Sequence, residues 1–300
     1  MINLTFLGTS TAVPTAERNH SSIYLKYKGE NILIDCGEGT QRQCRKAKIN
    51  PGKITKILIT HWHGDHVLGI PGLLQTLALS GYEKTLEIYG PKGTKKYMKE
   101  LINSFMPVKR IKTKVYEVQK TFIKTKDFEI LTAPLKHKKV PTNGYVFLEK
   151  PKLRIDKNKL KKLKIDSKDK TKLSQLTKGK DIKINNKIIK SKNITYKQAA
   201  KKISFIFDTK NCPNAIKLAK NSDLAIMEAT FDKEESKLAS SHGHLTSEQS
   251  AKIAKQAKVK KLILTHISQR YDYKSKNLEK QAQKIFPNTQ IAKDLMKVEI

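Results

Sequence analysis

Four metal-binding side chains fall within six positions of this chain, in Thr60-His61-Trp62-His63-Gly64-Asp65-His66, directly after the apolar run Ile57-Leu58-Ile59. Imidazole and carboxylate are ligands of zinc and related divalent ions, and no ordinary structural role needs so many of them so close together. His61 and His63 are two apart, so on an extended chain they point the same way. A turn at Gly64 swings Asp65 and His66 toward a second position. Two ligand pairs side by side suit two ions about 3.5–4 Å apart, which can activate a water and clamp a phosphodiester. The spacing therefore predicts a strand that ends in a metal centre, and a hydrolase.

Such a centre needs more ligands, including a carboxylate between the ions. His137 follows a strand in Leu135-Lys136-His137, Asp208 closes the strand-like run Ile203–Phe207, and His266 closes Leu264-Thr265-His266. Each has a bland reading: a lone His at a strand end is often a solvated cap, and an Asp often caps a helix or turn. The cluster at 61–66 raises all three together. His242 and His244 lie in a Gly-containing loop, where a solvated side chain is the bland reading.

The elements that must position these residues are short. Strands are expected over 2–7, 22–27, 31–34, 54–60, 87–89 and 115–118, with 128–133 and 144–148 flanking a loop that contains His137. Further strands are expected over 203–207, 224–227, 261–264 and 289–292. Helices are expected over 41–48, 71–79, 93–105, 212–221, 246–257 (with Ser247 as N-cap) and 277–285. Strands that finish in Asp, Glu or His and alternate with helices predict a two-sheet α/β sandwich with a polar site along one edge.

The chain has 300 residues, with 61 Lys+Arg against 27 Asp+Glu, a net charge of +34. That excess suits a polyanionic partner such as nucleic acid. Between Lys150 and Lys202 there are 19 Lys and one Arg against four Asp and no Glu, so nearly half of the excess sits there. Apolar residues in this segment are sparse, so it reads as an inserted basic arm (150–202) with little core, some helix over 158–163 and a hairpin over 181–189. Residues 1–149 and 203–300 then form the catalytic domain. The cysteines Cys36, Cys44 and Cys212 are odd in number and fit packing roles in a reducing compartment. No apolar run approaches the roughly 20 residues that span a bilayer, so no membrane association and a cytoplasmic location are expected.

His61-x-His63-x-Asp65-His66 resembles the signature of the metallo-β-lactamase superfamily, whose fold is an αββα sandwich around a dinuclear zinc site. Further motifs resemble one branch, the ribonuclease Z family of tRNA 3′-processing endonucleases. They are Thr9–Thr15 with Glu17-Arg18-Asn19, Leu33–Gln43, Asn143-Gly144-Tyr145, Phe207-Asp208-Thr209, Glu228-Ala229-Thr230-Phe231, Gly243-His244-Leu245-Thr246 and Leu264–Tyr271. The resemblance implies two zinc ions per subunit. His61, His63 and His137 would hold one, Asp65, His66 and His266 the other, and Asp208 would bridge them. Asp65 would also orient the attacking hydroxide, and His244, paired with Glu228, would protonate the leaving 3′ oxygen. The implied substrate is precursor tRNA, cut to leave a 3′ hydroxyl on the tRNA and a 5′ phosphate on the trailer. A homodimer is implied as well, in which a basic arm grips tRNA for the other subunit's site. The family's arm carries a Gly-Pro motif that this segment lacks; Asp166-Ser167-Lys168-Asp169-Lys170 stands in its place. The runner-up is a phosphodiesterase of the same superfamily acting on small or cyclic nucleotides, which explains the ligands and leaves the charge unexplained.

Overall fold

Two seven-stranded sheets carry the chain in a computed structural model that describes residues 1–106, 111–162, 170–184 and 187–300. Its strands are β1 (Ile2–Gly8), β2 (Ser22–Tyr27), β3 (Glu30–Ile34), β4 (Lys56–Leu58), β5 (Leu86–Gly90), β6 (Thr113–Glu117), β7 (Lys120–Lys124), β8 (Phe128–His137) and β9 (Val140–Glu149). There follow β10 (Lys152–Ile155), β11 (Ile182–Ile184), β12 (Lys187–Ile189), β13 (Thr195–Gln198), β14 (Lys202–Ile206), β15 (Leu224–Glu228), β16 (Leu262–Thr265), β17 (Thr289–Ile291) and β18 (Lys297–Glu299). The helices are α1 (Thr40–Lys46), α2 (Gly64–Val67), α3 (Gly69–Leu79), α4 (Thr94–Asn103), α5 (Lys157–Lys162), α6 (Lys170–Thr177), α7 (Ser191–Ile194), α8 (Pro213–Ala219), α9 (Ser236–His242), α10 (Ser247–Gln256) and α11 (Ser275–Gln283).

The first sheet runs β18-β1-β2-β3-β4-β5-β6 and the second β17-β16-β15-β14-β9-β8-β7. From β3 to β6, and from β14 to β17, neighbouring strands are parallel. Parallel strands buried on both faces read as continuous apolar runs, as in Ile203–Phe207 and Leu262–Leu264, all fully buried but for a trace. The sheets meet through their inner faces. Tyr27 and Phe147 stack edge to face at 5.3 Å, and the Tyr145 hydroxyl donates to the Ile59 carbonyl at 2.6 Å. The two-sheet α/β sandwich expected from the strand-and-helix alternation is the fold that results.

The structure divides into two compact units. One comprises Met1–Lys124, Ile130–Phe147 and Lys202–Ile300, the other Thr125–Glu129 and Leu148–Lys201. The sparse apolar residues of the basic segment converge after all: Leu160, Leu176, Ile182 and Ile194 are buried within it. Two hairpin-like pairs, β10 with β13 and β11 with β12, frame them. Residue 163 of the expected helix and residues 166–169 of the stretch that replaces the Gly-Pro motif lie outside the described residues.

Three local expectations are corrected. His137 is the last residue of β8 and does not lie in a loop. The cap of α10 is Thr246, one residue before the expected Ser247. Thr246 accepts from the Gln249 amide at 3.2 Å while the Gln249 side chain accepts from the Thr246 amide at 2.9 Å, a reciprocal capping box. The sequence reading also lacks β10 and β13 and the edge strands β7 and β18, which are only three to five residues long.

Candidate metal centre and proton-donor site

The candidate metal ligands and Glu228 hang from the carboxyl ends of strands, where open parallel sheets place their ligand sites, whereas His244 lies between α9 and the N-cap of α10. β4 runs through Ile59 and Thr60 into His61. His63 has extended backbone and serves as the N-cap of α2, the single helical turn that carries Asp65 and His66. β14 delivers Asp208, β15 ends in Glu228, and β16 delivers His266. Asp208 (φ 36°) and His266 (φ 58°) sit in the left-handed region, as does Asp35 (φ 59°) after β3. Each such backbone costs a non-glycine residue on the order of 1–3 kcal/mol, and such outliers cluster at functional sites.

The side chains form two sets around Asp208. In the first, His61 Nε2 lies 2.9 Å from His63 Nδ1, His137 Nε2 lies 3.3 Å from the same atom, and His61 Nε2 lies 3.5 Å from Asp208 Oδ2. In the second, His66 Nε2 lies 3.1 Å from His266 Nε2 and 3.2 Å from Asp65 Oδ2, and His266 Nε2 lies 3.2 Å from Asp208 Oδ1. One Asp208 oxygen thus faces each set. Zinc-to-ligand distances of about 2.0–2.2 Å give a tetrahedron with edges of about 3.3–3.6 Å, close to the spacing seen. Asp208 Oδ1 is buried and accepts no hydrogen bond, a costly state for a carboxylate oxygen that a cation relieves. The donor set therefore fits metal ions, with His61, His63, His137 and Asp208 in one cluster and Asp65, His66 and His266 in another.

The far sides of these rings explain why they hold their places. His66 Nδ1 meets Asp35 Oδ2 at 2.7 Å, and Thr60 links His61 Nδ1 (3.1 Å) to the same carboxylate (2.8 Å). His137 Nδ1 donates to the Gly243 carbonyl at 2.9 Å. His266 Nδ1 meets Thr230 Oγ1 at 3.0 Å, and that hydroxyl donates to Glu228 Oε2 at 2.7 Å. With Nδ1 bonded outward, Nε2 is the lone-pair nitrogen that faces inward. Asp35, Thr60 and Thr230 were not singled out in the sequence for these roles. Asp35 had a usable signal, since it closes an apolar strand as Asp208 does. Gly37 supports the same corner: a Cβ there would lie 2.4 Å from the Asp65 carbonyl oxygen.

Charge follows from this packing. Burial alone would raise the Asp208 carboxyl, but the surrounding imidazoles, His266 first, hold it well below the usual carboxylate range. Burial, and then His66, pushes His61 well below its ordinary value, so it is neutral and able to ligate. His244 differs. Burial opposes its charge, yet the Glu228 carboxylate, at 3.1 Å and 3.3 Å from Nδ1, outweighs it and raises the ring to about 9. His242 instead lies exposed at the end of α9, with Nδ1 on the Leu238 carbonyl at 3.0 Å.

The fold and this donor set define the class: a family model for the metallo-β-lactamase superfamily matches residues 15–155, and one for a β-lactamase superfamily domain matches 178–267. Ribonuclease Z of Methanothermobacter thermautotrophicus is 39% identical across 100% of this chain and 97% of its own length. Ribonuclease Z of Pyrococcus horikoshii is 38% identical across 100% of this chain and 96% of its own. The crystal structure of the short form of human tRNase Z superposes with a TM-score of 0.72 at 28% identity, over 99% of both chains. The chain belongs to the ribonuclease Z family.

Proposed function

We propose that this protein is a metal-dependent endoribonuclease that removes the 3′ trailer from precursor tRNA, leaving a 3′ hydroxyl on the tRNA and a 5′ phosphate on the trailer. The observation that carries the reading is the pair of ligand sets sharing Asp208, with His244 paired to Glu228 beside them and a strongly basic chain around them. His61, His63 and His137 would hold one zinc ion, Asp65, His66 and His266 the other, and Asp208 would bridge them. When bound, two such ions lower the pKa of a water to near neutral and neutralise phosphate charge.

The chain's own residues do the rest. Asp65 accepts a hydrogen bond from the attacking water and orients it toward phosphorus. His244 keeps Nδ1 on Glu228, which leaves Nε2 to give its proton to the departing 3′ oxygen. Glu228 itself receives the Thr209 amide at 2.6 Å and the Thr230 hydroxyl, so it is held rigidly for that task. The Lys-rich segment would grip phosphates of the tRNA away from the cut, in a homodimer across to the neighbouring subunit's site. A cytoplasmic setting suits an enzyme that matures tRNA. Among the described residues no helix is long and apolar enough to cross a membrane.

The deciding experiment is cleavage of a precursor tRNA carrying a 3′ trailer by zinc-loaded protein. Cleavage at the 3′ edge of the acceptor stem, with the trailer released bearing a 5′ phosphate, supports the reading. An intact precursor alongside hydrolysis of bis-p-nitrophenyl phosphate gives the small-diester phosphodiesterase instead.

Two smaller effects follow. Deleting residues 155–200 is expected to raise KM for precursor tRNA about tenfold or more and to flatten its salt dependence, because phosphate contacts set that slope. The small diester should be hydrolysed as before, and equal losses on both substrates would give the segment a structural role. Asp35→Ala removes the carboxylate behind both His66 and Thr60, so metal affinity should fall about 10- to 100-fold. Chelator competition followed by metal analysis reads that change directly.

A further inference from the structure

Just beyond His266 the chain forms the 3₁₀ helix Gln269–Lys274. Positions three apart eclipse in such a helix, so Arg270 and Tyr273 leave it on one side. Tyr273 is 96% exposed, the most exposed aromatic ring among the described residues. The Arg270 guanidinium lies over the Phe231 ring, 5.8 Å from its centroid, and that ring is 6.1 Å from the imidazole of His244. Arg270 also pairs with Glu235 at 3.1 Å, with side chains 51% and 34% exposed. An exposed pair of this kind contributes little stability, so a stronger anion can displace the carboxylate. Phosphate is such an anion, because the guanidinium fork binds it through two charge-assisted hydrogen bonds.

A cation and a bare aromatic ring side by side are what a single strand of RNA needs: one phosphate contact and one surface on which a base stacks. The neighbourhood of His244 says which strand. His244 serves the leaving oxygen, so the nucleotide next to it is the one that carries this oxygen after the cut.

We propose that Arg270, Phe231 and Tyr273 form a subsite for the unpaired 3′-terminal nucleotide of the tRNA product. Arg270 holds a phosphate on the leaving-group side, Tyr273 stacks on the base, and Glu235 occupies the guanidinium until RNA displaces it. The inference rests on the endonuclease reading above.

The test compares Arg270→Ala, Tyr273→Ala and Glu235→Gln on precursor tRNA and on bis-p-nitrophenyl phosphate. The first two should each lower kcat/KM for the RNA about tenfold and leave the small diester unchanged. Glu235→Gln frees the guanidinium, so it should match or exceed the parent on RNA. If Arg270 and Glu235 only brace one another, their two variants will lose activity alike, and the subsite is refuted. RNA cleavage at the parent rate in both Arg270→Ala and Tyr273→Ala refutes it too, while parental cleavage leaves the endonuclease reading standing. A parent protein that cuts no precursor overturns that reading instead. Should Arg270→Ala disturb the loop, Tyr273→Trp keeps a stacking ring and supplies a fluorophore. Its emission should be quenched by mature tRNA ending in a 3′ hydroxyl, and an unchanged spectrum at saturation counts against the subsite.

Discussion

Asp208→Ala is expected to abolish turnover of both precursor tRNA and bis-p-nitrophenyl phosphate, by about four orders of magnitude or more, and to strip bound metal from the protein. The expectation follows from where its two oxygens point. Oδ2 lies 3.5 Å from His61 Nε2, and Oδ1 lies 3.5 Å from His66 Nε2 and 3.2 Å from His266 Nε2. Removing one residue therefore takes a negative donor from both sets at once, leaving the first with three imidazoles. The same deletion removes the charge that draws five ring nitrogens together, so the empty protein is affected as well. The variant should still fold, because the apolar strands Ile203–Phe207 and Leu224–Met227 remain buried. Metal content by atomic spectroscopy, together with rates on both substrates, provides the check. Full metal occupancy in Asp208→Ala would mean that the two sets do not depend on a shared carboxylate. His63→Ala offers a milder comparison: it removes a donor of one set only, yet should silence both substrates as well, because two ions held by such neighbouring sets would act together.

Much of this centre was legible in the sequence because ligand chemistry and strand punctuation coincide there. A metal ligand must project from a fixed backbone, and in this fold the fixed points are the ends of buried parallel strands. Apolar runs that stop abruptly at Asp or His, as at Asp208 and His266, therefore announce the strand and the donor atom that it brings to the cluster. Asp35 ends its strand in the same way but faces away from the inner cavity, and nothing in the sequence distinguishes a ligand from the group that orients one. Thr60 and Thr230 are harder still, since their role is a hydroxyl relay visible only through distances of 2.7–3.1 Å. The basic segment misled for another reason. Its apolar residues, Leu160, Leu176, Ile182 and Ile194, are far apart in sequence and isolated among lysines, so no periodicity reveals that they share one small core. His137 reads as a loop residue because Pro134 and Lys136 interrupt the alternation that strands usually show.

His244→Ala should separate the two substrates that Asp208→Ala treats alike. On precursor tRNA the leaving group is a ribose 3′ alkoxide, which departs poorly without a proton. Loss of a positioned general acid typically costs 10²–10⁴ in rate, and kcat should bear that loss. On bis-p-nitrophenyl phosphate the leaving nitrophenolate is stable as an anion, so the same variant should stay within a few-fold of the parent. The assignment competes with a specific alternative, because His244 also stands with Asp208 and His266 as a possible ligand trio. Geometry favours the acid: Nδ1 is 3.1 Å from Glu228 and 3.9 Å from Asp208, and Glu228 is what raises the ring to about 9. If His244 were a ligand, its removal would lower metal content and slow both substrates together. Glu228→Gln adds a graded test. It removes the charge that keeps His244 protonated and also weakens the Thr230 relay to His266. It should therefore slow the RNA reaction strongly and the small diester modestly, a pattern distinct from that of His244→Ala.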